Sequence, residues 1–400
     1  MATTTNQVAR PVRSSFALLS GGFRIFFPLG AFWAILELAL FVAALAGAIS
    51  LPAALDAVAW HRHEMLFGYL GAIVGGFLLT AIPNWTGRRP ITGRPLLALA
   101  SLWAIARLAI LYSLRIGIPI AILCDAGFLL VMATIAGAEL YAARNRNVPI
   151  VLLTIILAAA AAVDLAEGAG LMVARGIGYR LGIGVILVMV MLIGGRIIPT
   201  FTRNWLAKGG VEPGLPAPMQ RFDLGAVLVG AATMLAWVVL PDAPATAWLL
   251  IGAGALHLAR LLRWRGWRTG AEPLVLILHL AYLWVPIGMA LLGVGLLGTF
   301  VPPVSGVHAL TAGAFATMTL AVMTRASLGH TGHMLHAGPV TVAIYALILI
   351  AALVRVAAPL LPVDYMRSIE VAAAAWIMAF ALFLCAYGPL LVRPRADARA

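Results

Sequence analysis

The residues best equipped for chemistry lie in one short stretch, Trp60-His61-Arg62-His63-Glu64-Met65-Leu66-Phe67-Gly68, which leads into an apolar run ending at Thr86-Gly87-Arg88. Imidazole is a ligand for iron, copper and zinc, and a thioether adds a preference for copper(I). Ionisable groups at the mouth of an apolar helix are costly and tend to mark function, although an interfacial cluster at the water boundary would look the same. On a helix His61 and His63 point about 200° apart, so they serve one site only if the helix starts after His61. His61, Glu64 and Met65 share a face at i, i+3 and i+4, whereas His63 falls with Phe67 and Leu70. One division puts His63 on haem and His61 with Met65 on copper, with Glu64 as the candidate catalytic acid.

The other histidines divide between two levels. His308 opens a later apolar run at the same end as His61 and His63, and two imidazoles from different helices can clamp a haem iron. His257 and His279 each lie 11 residues from Arg268, on either side of it. That puts them at matching depth on two antiparallel helices, roughly 10 Å inside the boundary at 1.5 Å per residue. They would hold a second haem or a copper, or else form a helix–helix hydrogen bond worth on the order of 0.6 kcal/mol. His330 could close that inner site from the following loop, while His333 and His336 are expected to face solvent. Arg196 interrupts an apolar run, where a haem propionate would accept its planar fork; the competing partner is Glu37. Arg325 is a second candidate cofactor anchor, although its interfacial position explains it equally well. Glu37, Glu64, Asp125, Asp164 and Glu167 are candidate proton-relay groups, or partners for Arg107, Arg115, Arg175 and Arg180. No CxxCH motif is present, so a haem would be non-covalent, of the b type.

The elements that must position these groups are membrane helices. Of 400 residues, 63% are hydrophobic and 10% charged, against about a quarter charged in an average soluble domain. A span needs roughly 20 apolar residues, which yields twelve: 28–49, 63–83, 95–114, 118–142, 149–170, 181–200, 222–241, 245–263, 273–298, 307–325, 339–358 and 368–391. The expected fold is an all-α polytopic bundle forming one transmembrane domain over 1–400, with 1–25 and 392–400 as polar ends. With the N-terminus inside, 19 of the 27 lysines and arginines fall on the cytoplasmic side, among them Arg10, Arg13 and Arg399. The positive-inside rule then puts both termini in the cytoplasm and accounts for the net charge of +13, so nucleic acid is not an expected partner; the lipid bilayer is. Cys124 and Cys385 fall at different depths and are not expected to pair. The second, sixth and tenth spans end alike, in Thr86-Gly87-Arg88, Thr202-Arg203 and Thr324-Arg325. This hints at three four-helix units with a pseudo-threefold arrangement.

Three motifs carry a family resemblance. His61-Arg62-His63-Glu64-Met65-Leu66-Phe67-Gly68, Gly194-Gly195-Arg196-Ile197-Ile198-Pro199-Thr200-Phe201-Thr202-Arg203-Asn204, and His308-Ala309-Leu310-Thr311 with Thr324-Arg325-Ala326-Ser327-Leu328-Gly329-His330-Thr331-Gly332 resemble, in order, the motifs of the NnrS family. The match runs from about residue 20 to about 390, and it departs at His333, where the resemblance implies arginine. The resemblance implies a bacterial inner-membrane protein carrying haem and copper and linked to nitric oxide and nitrosative stress. Combined with the histidines, it points to a redox enzyme that reduces or detoxifies nitric oxide, with a quinol as candidate electron donor. The alternative is a transporter or sensor of metal, haem or a nitrosylated iron species.

Overall fold

The computed structural model describes residues 17–173, 175–210 and 214–396. Arg10, Arg13 and Arg399, used above in the charge argument, lie outside the described residues. Within them all twelve spans are present and no strand occurs: α1 (Gly22–Leu45), α2 (Ala57–Thr86), α3 (Arg94–Leu111), α4 (Ile118–Ala142), α5 (Pro149–Gly168), α6 (Ile177–Lys208), α7 (Arg221–Val239), α8 (Pro244–Arg268), α9 (Pro273–Leu296), α10 (Pro303–His330), α11 (Pro339–Leu360) and α12 (Tyr365–Val392). Helices are the expected solution, because a chain crossing lipid must satisfy every backbone group internally. One apolar cluster draws side chains from all twelve.

Two helices outrun their apolar cores, for reasons visible at their ends. α2 begins at Ala57, six residues before the expected start, because Asp56 caps it: its carboxylate accepts from Val58 N and Ala59 N, both at 2.9 Å, a common N-cap arrangement. α6 begins at Ile177 because Glu167, at the end of α5, accepts from the backbone of Arg175, Ile177 and Gly178 at 3.0, 3.1 and 3.0 Å. Glu167 is thus a helix-capping carboxylate held by backbone amides. At the arginine-rich end, buried Arg24 of α1 donates to the carbonyls of Leu391 and Arg393 at 2.8 and 2.7 Å. It satisfies the open C-terminus of α12 and ties the first span to the last.

Consecutive spans are neighbours around a closed ring, with α12 returning to α1. α2, α10 and α9 are the most buried, over 78%, 72% and 67% of their apolar windows, followed by α6 at 61%, against 39% for α4 and α11. α2, α6 and α10 meet pairwise. The Phe67 ring of α2 lies against Gly182 of α6, Tyr69 of α2 bonds Thr319 of α10 at 2.5 Å, and Arg325 of α10 lies 4.0 Å over Phe201 of α6. These are the spans with like sequence endings. α2 and α10 share a feature with no sequence signal: each relaxes into a π-helical stretch, Glu64–Tyr69 and Ala309–Phe315, beginning just after His63 and His308. Such single π turns cluster at functional sites.

Candidate functional site

At the end opposite the arginine-rich one, α1, α2, α10 and α11 surround a pair of histidines. His61 Nδ1 lies 2.7 Å from Glu37 Oε1 of α1, and its ring stacks on Phe41 at 3.9 Å and 12°. His308 Nδ1 donates to the Val304 carbonyl at 2.9 Å. Neither Nε2 has a hydrogen-bond partner among the described residues, and each histidine keeps some accessible surface. Arg355 of α11 is close enough to act electrostatically on both rings. Its guanidinium packs on Tyr365 at 5.7 Å, and its buried Nη1 meets no hydrogen-bond partner. Met65, one turn below His61, is half-buried in the apolar cluster.

His63 is in a different environment. It is fully buried and both ring nitrogens are committed, Nδ1 to Asp164 Oδ2 at 3.0 Å and Nε2 to Asp125 Oδ2 at 3.2 Å. Asp125 continues to Arg107, and Arg107 to Glu64; Asp164 continues to Arg62 at 2.7 Å. Three carboxylates, two guanidiniums and one imidazole thus form a chain joining α2 to α3, α4 and α5. Glu64 Oε2 also accepts from Trp33 at 2.8 Å, while its buried Oε1 has no hydrogen-bond partner. Both His63 nitrogens are thus bonded to carboxylates, and the histidine of the motif with a nitrogen to offer is His61. The candidate relay acids Glu37, Asp125 and Asp164 all hold histidines.

Toward the arginine-rich end, His257 of α8 and His279 of α9 lie at matching depth but do not converge. His257 Nδ1 bonds Tyr282 at 2.8 Å, while its Nε2 looks at Gly230 of α7, near the Ala226 carbonyl, without a well-formed hydrogen bond. His279 Nε2 bonds Thr202 at 2.8 Å, while its Nδ1 looks at Gly266. Trp264 and Tyr282, 4.6 Å apart, pack against these rings. Beside Gly230, the place a methyl group would take is bordered by His257 Nε2 at 2.8 Å and Met191 Sδ at 2.6 Å. No group of three or more His, Cys, Asp or Glu suited to a metal occurs among the described residues.

The NnrS protein family model matches residues 17–395. The chain belongs to the NnrS family. A search of curated proteins finds no match. Membership fits an integral membrane protein of the nitric oxide response, and it gives the three motifs a common frame.

Within that frame the middle NnrS-like motif works differently from expectation. Arg196 is exposed and donates to Asn147 Oδ1 at 2.6 Å; Glu37 is engaged elsewhere, with His61. The buried arginine at this level is Arg260. It bonds Asp223 at 3.0 Å, the Met191 carbonyl at 2.9 Å and Tyr282 at 2.8 Å. Gly195 admits it: a methyl group there would lie 1.8 Å from Arg260 Nη2. Two further candidates make packing contacts. His330 packs on Phe23 of α1 at 5.3 Å and so does not close the inner site. Arg325 serves the α6–α10 contact through Phe201. His336 is exposed as expected, yet reaches Glu272 at 2.9 Å. Arg355, Arg260 and Met191 escaped sequence reading because their neighbours come from distant spans. The only local signals were the two adjacent glycines, Gly194 and Gly195, and a second methionine near them.

Proposed function

We propose that this NnrS family member is a haem- and copper-binding oxidoreductase of the bacterial inner membrane that removes nitric oxide, with its arginine-rich end cytoplasmic. The observation that carries the reading is the matched state of His61 and His308. Each ring has Nδ1 held by an oxygen and Nε2 uncommitted, on the two most buried helices, which relax into a π stretch near the histidine. Metal-bound imidazoles ordinarily give their second nitrogen to such an acceptor, which fixes tautomer and ring orientation. The pair therefore fits a b-type haem, which would supply one-electron iron chemistry there. Arg355, with a buried donor to spare and a planar fork, fits a propionate better than Arg196 does. The soft pair of His257 Nε2 and Met191 Sδ fits copper(I).

The chain's own groups would orient and supply protons. Glu37 fixes His61, and Val304 fixes His308. Glu64 Oε1 is the atom we assign to hold a proton. Conversion of two nitric oxide molecules to nitrous oxide and water consumes two electrons and two protons, and a membrane quinol is the donor class we assign.

The test uses the purified full chain. Haem content and the optical spectrum should be lost in His61→Ala and in His308→Ala, and kept per folded molecule in His63→Ala. If both of the first two variants keep wild-type haem and spectrum, the assignment fails. Protein reduced by quinol should be reoxidised by nitric oxide with release of nitrous oxide. Exchangeable, substoichiometric metal with no nitrous oxide would instead favour a transporter or sensor.

A further inference from the structure

At the arginine-rich end a cleft of about 540 Å³ opens between the 214–217 segment, the start of α7 and the end of α8. Arg263, Arg265, Trp264, Trp267, Asp223 and Leu215 line it. Among the described lining residues its charge is one-sided. Asp223 is spent, with Oδ1 on Arg260 and Oδ2 on the Gln220 amide, each at 3.0 Å. Arg263 gives one donor to Gln220 Oε1 at 2.6 Å and keeps the rest. The Arg265 guanidinium meets no acceptor among the described residues.

Arg265 is nevertheless held in place. It is one of two non-glycine residues with positive φ among the described residues, at 56°. That conformation is costly for a residue with a Cβ. Opposite it, Gly214 at φ 81° leaves the space a Cβ would fill, only 2.0 Å from Arg265 Nη1. Strain of this kind persists only where the surroundings enforce it, and it concentrates at ligand clamps. Beside the two guanidiniums, Trp267 is 66% exposed, in the way indoles sit at a membrane boundary.

We propose that this cleft binds the phosphate of an anionic ligand, with Arg263 and Arg265 as the clamp and the Trp267 rim receiving the ligand's apolar part. Basic pockets between membrane helices take phospholipid headgroups by this chemistry. A soluble phosphate compound would use the same clamp without the rim.

The experiment is native mass spectrometry of the full chain with phosphatidylglycerol or phosphatidylcholine of identical acyl chains, with inorganic phosphate as competitor. Phosphatidylglycerol should stay bound preferentially. The double variant Arg263→Gln/Arg265→Gln should lose roughly thirtyfold in affinity, from about fivefold per arginine. Arg89→Gln/Arg94→Gln, at the same end but outside the cleft, should lose none. Arg263→Lys/Arg265→Lys keeps the charge and guards against misfolding of the glutamine pair; it should retain most of the binding. Lipid binding unaffected by phosphate identifies a headgroup site, and competition at low millimolar phosphate identifies a site for soluble phosphate compounds. Equal binding of the two lipids, or retention of phosphatidylglycerol within twofold by the glutamine pair when its fold is intact, overturns the proposal.

Discussion

The two histidine pairs, His61 with His308 and His257 with His279, are alike in sequence logic and unlike in structure. Each brings together two helices, and each was expected to hold metal because its members share a depth. In the outer pair both rings are fixed through Nδ1 and offer Nε2, and Arg355 acts on both. In the inner pair one ring is fixed through Nδ1 and the other through Nε2, so the remaining nitrogens look at different glycines, Gly230 and Gly266. Equal depth is therefore a weak criterion. Which nitrogen is tethered, and toward which helix the other turns, separates a shared centre from two separate rings.

The supports of the two regions differ as well, and the largest test of the comparison breaks one of them. Arg107 is fully enclosed between Glu64 and Asp125. Arg107→Leu leaves two buried carboxylates without their cation, so thermal unfolding in detergent should report a loss of about 3–5 kcal/mol. A change below 1 kcal/mol would mean that the charge chain is wet and dispensable.

Next in size is the ligand comparison itself. Single alanine variants of His61 and His308 should each lower haem occupancy by roughly a hundredfold, with the double variant little worse, because ligands of one site are non-additive. The same cycle on His257 and His279 should give additive losses in bound copper and leave haem intact. Strong non-additivity in the inner cycle would reunite that pair in one centre.

Gly195→Ala probes the inner support. The methyl group would displace the Arg260 guanidinium from α6, costing about 1–3 kcal/mol by overpacking, and should lower copper occupancy along with stability. Unchanged stability and copper would show that Arg260 is not needed to hold Tyr282 and His257.

The smallest effect sharpens the outer region. Arg355→Lys should shift the haem midpoint potential by roughly 40 mV, the one-electron equivalent of about one hydrogen bond. Arg196→Lys should leave it unchanged, since Arg196 is exposed and bonded to Asn147. The reverse result would restore Arg196 as the anchor.

By itself the sequence determined the architecture. In a chain with 63% hydrophobic residues, apolar runs of about 20 residues are the length of a membrane helix, and those runs with the basic clusters yield twelve spans and two unlike ends. The like endings of the second, sixth and tenth spans fall on three helices that touch one another. The sequence also marked His61 and His308 as members of one level, because depth along a helix is counted in residues. What only the tertiary structure decided was rotation about the helix axes and the partners met across them. Those choices spent both nitrogens of His63, turned Arg196 outward, brought Arg260 in over Gly195, and set Arg355 beside two histidines some 50 and 300 residues away in the chain. In lipid a span that is apolar nearly all round carries little periodic signal of which face turns inward. That choice is left to close packing at small residues and to the few polar groups that must find one another.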